Sequence, residues 1–171
     1  DRGRGWEYFS TICNHPEMTR EGSDEADLIR LPTGDLFAVM RTGMHGYWDP
    51  FGREHFDEPP LAAWSREDGK HWSEPARIYI KDKLITGIFP RAVLTEEGVL
   101  AVLRCRPDGS VIFSPDGSGT IWTDEVVYFN AGAQEQARDT MQNMDLIGPT
   151  TLLVLDLMRD GPVYGLPITV K

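Results

Sequence analysis

Cysteine is scarce in this chain. Cys13 and Cys105 are its only two, too few for a disulfide scaffold. They could close one bridge, but reduced and buried thiols are the simpler reading. Long apolar runs are missing too. Stretches such as 36–40 and 152–155 are among the longest, and a membrane-crossing helix needs about 20 apolar residues, so no membrane span is expected. No secretory leader pattern opens the chain, which begins at Asp1 without an initiator methionine; an upstream segment is therefore expected. Localisation stays open, with a secreted or periplasmic place plausible and a cytoplasmic one also compatible. Basic residues are outnumbered, 17 Lys and Arg against 27 Asp and Glu, for a net charge of −10. Sequence-independent binding to nucleic acid rests on cations meeting phosphates, so no nucleic-acid partner is expected. His45, His55, Asp57 and Glu58 share one long loop, but no compact motif such as His-Glu-x-x-His occurs, nor a phosphate-cradling glycine loop or a nucleophile elbow. No metal and no cofactor are expected.

What the chain does hold is repetition. It has 171 residues, 40% of them hydrophobic, enough for a real core in one domain. Leu31–Arg41 (LPTGDLFAVMR) lies over Leu94–Arg104 (LTEEGVLAVLR), and both over Ile147–Leu157 (IGPTTLLVLDL), at offsets of 63 and 53 residues. Each copy reads as the end of one strand, a Gly- or Pro-bearing turn and a second strand. The second strand is apolar at nearly every position, the pattern of a strand covered on both faces. Repeats of this length made of several short strands point to propeller blades.

A second signature alternates with the first. Ser65-Arg-Glu-Asp-Gly-Lys-His-Trp72 and Ser114-Pro-Asp-Gly-Ser-Gly-Thr-Ile-Trp122 are two copies, and Asp1-Arg-Gly-Arg-Gly-Trp6 matches the end of a third. Strands are expected over 7–12, then over 26–31, 36–41, 61–66 and 76–80, then over 90–95, 99–104, 110–114 and 121–128, and last over 143–147, 151–157 and 163–170. Residues 131–139 read as loop with a short turn of helix. The units are then 1–22 (the end of a truncated blade and a linker), 23–81, 82–130 and a partial 131–171.

The Ser-x-Asp-x-Gly-x-x-Trp turn resembles the Asp-box of the sialidase superfamily. Ser114, Asp116 and Trp122 match it with one inserted residue; Ser65, Gly69 and Trp72 match it with Glu67 in the place of the Asp. The resemblance covers essentially the whole chain. It implies an all-β fold, about three four-stranded antiparallel blades from the C-terminal half of a six-bladed β-propeller. The box is a structural device: a hydroxyl and a carboxylate bond the turn's own N–H groups, and the Trp spreads apolar surface between sheets.

Glu25 and Arg41, sixteen residues apart, resemble the family's glutamate that polarises a tyrosine nucleophile and one of its three arginines that hold a substrate carboxylate. The resemblance thus implies a catalytic role for Glu25 and substrate binding by Arg41. Arg91, in Gly87-Ile-Phe-Pro-Arg91, and Arg104, at the end of a second strand, are further candidates for substrate binding. So are His45 and Trp48 from the long loop, and Asn143 and Asp145 from Gln142-Asn-Met-Asp-Leu-Ile147. Arginine suits a carboxylate ligand through its bidentate fork, although each of these could equally pair with a nearby Asp or Glu. The family's tyrosine falls at Asn143, and an amide cannot be that nucleophile. The implied function is a sialidase-like carbohydrate-active protein, the C-terminal part of an exo-glycosidase acting on an acidic sugar; a non-catalytic propeller binding glycan or protein is the alternative. The implied partners are a glycan and either the missing N-terminal half of the propeller or a second copy of the chain.

Overall fold

The structure, a computed structural model, describes residues 5, 7–14, 23–42, 47–48, 54–55, 59–105, 108–129, 141–157 and 162–171. Among them there is no helix. The first sheet holds β1 (Ser23–Arg30), β2 (Leu36–Thr42), β5 (Leu61–Ser65) and β6 (Ala76–Arg77), in that order. Two small hairpins interrupt the sequence: β3 (Tyr47–Trp48) with β4 (Glu54–His55), and β7 (Tyr79–Ile80) with β8 (Lys83–Leu84). The second sheet runs in order through β9 (Ile88–Leu94), β10 (Leu100–Cys105), β11 (Gly109–Ser114) and β12 (Asp124–Phe129). The third has three strands, β13 (Met141–Gly148), β14 (Thr151–Leu157) and β15 (Val163–Thr169). Every strand pair is antiparallel.

The run of apolar residues in β10 has a direct physical consequence. All six of its residues are buried, because alternate side chains enter different cores. Leu100 and Val102 join Phe37, Val39, Ile112 and Trp122 between the first and second sheets. Ala101 and Leu103 join Val111, Phe113, Leu152 and Val154 between the second and third. Each fully buried Leu or Val of this kind stabilises the fold by roughly 1.5–3 kcal/mol. β1 lies beside β9, and β9 beside β13, so the first strands of the three sheets are neighbours. These are edge strands with backbone groups to satisfy, and side chains of β1 reach across: Ala92 N–H donates to Asp27 Oδ2 at 2.9 Å.

The serine–tryptophan turns fold as their composition requires. Ser65 Oγ accepts from Gly69 N–H at 2.9 Å, and Ser114 Oγ accepts from Gly119 N–H at 3.0 Å. Asp116 Oδ1 accepts from the Ser114 hydroxyl and from both the N–H and the hydroxyl of Ser118. Trp122 is 7% exposed and joins the core, its ring centroid 6.3 Å from that of Phe37. The turn at 31–35, the turn at 95–99 and both serine–tryptophan turns lie on one rim, where Glu96 N–H also meets the Pro149 carbonyl at 2.9 Å. The starts of β1, β9 and β13 form the opposite rim.

Two expectations need adjustment. Residues 7–14 form no strand. Instead Ile12 and Cys13 pack over Met40, Leu61 and Ala63 on the outer face of the first sheet, and the Ser10 hydroxyl is taken by the Gly69 carbonyl; a segment that lies across a sheet face cannot also extend its edge. The stretch expected at 76–80 divides, because Tyr79–Ile80 turns back on Lys83–Leu84. The turn of helix expected at 131–139 and the shortened serine–tryptophan turn at 1–6, Gly5 apart, lie outside the described residues.

Candidate functional site

On the side opposite the turns, two of the candidate residues, Glu25 and Arg41, come into contact. β1 begins with an irregularity between Asp24 and Asp27, beyond which Asp24 pairs with Arg41 across β2. Glu25 sits inside this bulge at φ +43°, a left-handed conformation that costs a non-glycine residue energy and collects at sites that use it. The bulge aims the carboxylate at two partners. Glu25 Oε1 takes Arg41 Nη1 at 2.7 Å, and Glu25 Oε2 accepts from Phe89 N–H at 3.3 Å. The Arg41 guanidinium also lies 5.8 Å from the centre of the Phe89 ring, within cation–π reach. Phe89 itself has φ +53°. The arginine is thus fixed from two sides, by an ion pair and an aromatic face, with 13% of its side chain still exposed.

Arg91 stands two residues along β9, opposite Leu103. Its Nε is buried and meets no hydrogen-bond partner among the described residues. Arg104 is placed differently. It is 6% exposed and bonded to Glu125, which also takes Lys83 Nζ at 2.5 Å and the Ser110 hydroxyl at 2.9 Å. Burial pushes the Glu125 carboxyl up, but Lys83, Arg104 and Ser110 more than offset it and bring its pKa down to about 2. Arg104 therefore serves an internal ion pair between β10 and β12.

Asn143 and Asp145 are exposed. In an antiparallel sheet they share a face with Leu155 and Leu153, their cross-strand partners, and that face points away from the second sheet. Each side chain accepts from the N–H of the next residue, Met144 and Leu146. The structure does not bring these two together with Arg41. His45 lies outside the described residues. Trp48 lies in β3 opposite Glu54, and its side chain is outside the described part.

A group that the sequence reading passed over lies between the second and third sheets near the same rim. The Tyr128 hydroxyl donates to Gln142 Oε1. Gln142 pairs across β13 and β14 with Asp156; they are 7% and 4% exposed. Asp156 Oδ1 has no hydrogen-bond partner among the described residues. Burial pushes the Asp156 carboxyl up, opposed in part by Gln142. Burial, with Cys105 and Asp156 adding to it, likewise raises the Tyr128 phenol. A scan against protein-family models and a search of curated proteins return no match. The site must be read from its own chemistry. The signal for Gln142 and Asp156 was present as polar residues in the core-facing register of apolar strands. Tyr128 and Glu125 sit in an ordinary half-exposed strand and gave none.

Proposed function

We propose that this chain is part of a sialidase-like propeller that takes an acidic sugar on the rim of strand starts, as the C-terminal part of a glycoside-cleaving protein. Three features support the propeller reading: neighbouring first strands, core layers on both faces of the second sheet, and the two described serine–tryptophan turns on one side. The observation that carries the functional reading is the Glu25–Arg41–Phe89 group, an arginine oriented at the rim by a strained glutamate and an aromatic ring. Arg91, with its buried Nε, stands two residues from Phe89 and would supply a second cation for the same carboxylate. A preset guanidinium loses little freedom when it meets a carboxylate.

The test is binding of sialic acid and of its neutral methyl ester to the protein and to Arg41→Ala. Loss of a charge-assisted hydrogen bond costs about 1.5–3 kcal/mol, or about tenfold to a hundredfold in affinity. The acid should lose that much and the ester much less, and Arg41→Lys should restore only part because it lacks the fork. Equal losses for both ligands would reduce Arg41 to a shaping role. A second reading, a binding module without turnover, is favoured by Asn143, an exposed amide where the resembling family has its nucleophile. Assay of fluorogenic aryl sialosides and glucuronides separates the two: binding without release of the aryl group selects the module.

A further inference from the structure

The turn rim carries a concavity that the reading above does not use. A groove of about 580 Å³ opens there between the first two sheets, inside the range of about 300–1,000 Å³ usual for small-molecule sites. Leu31, 4% exposed, lines it together with Trp64 and Trp72, both only partly buried. Trp64 packs toward the second sheet, and Trp72 also rests on Met40, Leu61 and Ala63 at the outer face of the first.

Both indoles are held in place by the protein. Trp64 meets Phe37 edge-on at 5.6 Å between centroids, and its Nε1–H donates to the Ser118 carbonyl of the neighbouring sheet at 2.8 Å. Trp72 Nε1–H donates to the Gly69 carbonyl at 3.0 Å. With both N–H groups used, the ring surface that lines the groove is apolar and already oriented. Around it stand Asp35, Arg66, Glu67, His71 and Thr120. Glu67 is bonded to His71 at 2.9 Å. The Asp35 carboxylate meets no side chain among the described residues within ion-pair or hydrogen-bond distance, although its backbone takes part in the turn.

Flat aromatic surface bordered by short acceptors and donors matches one ligand chemistry closely. A pyranose has a face of C–H bonds, which the negative π face attracts, and an edge of hydroxyls, which a carboxylate accepts from in pairs. Two carboxylates against one guanidinium disfavour an anion. We propose that this groove binds a single neutral pyranose unit, at a site separate from the strand-start rim and independent of the activity proposed there.

The experiment titrates the protein with the methyl glycosides of glucose, galactose and mannose, and with methyl glucuronide as the anionic counterpart. Tryptophan fluorescence and saturation-transfer NMR are the readouts. At least one neutral glycoside should bind, with the glucuronide weaker. Asp35→Asn should weaken that binding about tenfold by removing a charged acceptor. Thr120→Trp, at an exposed position, should abolish it by filling the groove, at the cost of the Thr120 hydroxyl's 2.6 Å bond to Ser118. Asp35→Asn should keep the parent melting temperature. The proposal is overturned if none of the three neutral glycosides binds, if the glucuronide binds as tightly as they do, or if binding is undiminished in Asp35→Asn. Should Thr120→Trp fail to fold, Asp35→Asn alone decides.

Discussion

Replacing Glu125 by Leu removes the only acidic partner that the described residues give to a buried guanidinium. Arg104 is 6% exposed and Glu125 11%, with Lys83 arriving from the solvent side, 63% exposed. Once Glu125 is gone, Lys83 returns to water at little cost. Arg104 cannot, because Ser110, Leu103 and Cys105 beside it are all fully buried. Breaking such a pair from one side costs about 3–5 kcal/mol, and the Ser110 hydroxyl loses its acceptor as well. Urea denaturation at neutral pH should show that loss in Glu125→Leu. The double variant Arg104→Met/Glu125→Leu should recover to within about 1 kcal/mol of the parent, since no unpaired charge remains. The carboxyl adds a pH signature. Burial raises its pKa and the cations lower it further, from 4.5 to about 2. A depressed pKa means that its contribution is complete above pH 4.5 and is lost as pH falls toward 2. The stability gap between parent and Glu125→Leu should therefore shrink across that window. A single variant that loses less than about 1 kcal/mol would refute the argument, and so would a double variant as weak as the single.

Asp156 should behave in the opposite sense. Its pKa is raised by burial above the ordinary 3.8, so its stabilising contribution is present below 3.8 and is lost as pH rises through the folded-state value. Asp156→Asn should accordingly gain on the parent between pH 3.8 and neutrality in urea midpoints; a pH-independent difference would sink this. Gly119→Ala should cost about 2–4 kcal/mol, because at φ +70° a Cβ would stand 2.7 Å from the Phe37 ring. Gly34→Ala, at φ +91° with nothing within 4 Å, should cost about 1 kcal/mol, and equal melting temperatures for the two would contradict the close approach of turn and ring.

Most strands of the three main sheets and the serine–tryptophan turns were legible in the chain because their causes are local, unlike the segment 7–14 and the small hairpins. Apolar residues at every position of 100–103 required two covered faces, and alternation sent Leu100 and Val102 one way, Ala101 and Leu103 the other. Ser65 and Ser114 bond N–H groups only four and five residues ahead, so composition alone marks those turns. The spacing of Glu25 and Arg41 likewise survived folding as a contact, since a hairpin with a short turn returns the chain to its own start.

What the chain could not decide was which charges meet across sheets. Arg41 and Arg104 end equivalent strands and look alike in sequence. Arg41 stays at the rim over Phe89, 48 positions away, while Arg104 is drawn inward by Glu125 and Ser110. Asn143 and Asp145 differ from Gln142 by one or three positions, yet the pleat sends Gln142 into the core and the other two outward. The strand period of two makes such assignments depend on register, and register is set when sheets pack. The Trp64–Trp72 groove is likewise a product of packing, because Ser118 and Thr120 join its first-sheet lining, and Trp64 bonds Ser118, only when the second sheet lies on the first.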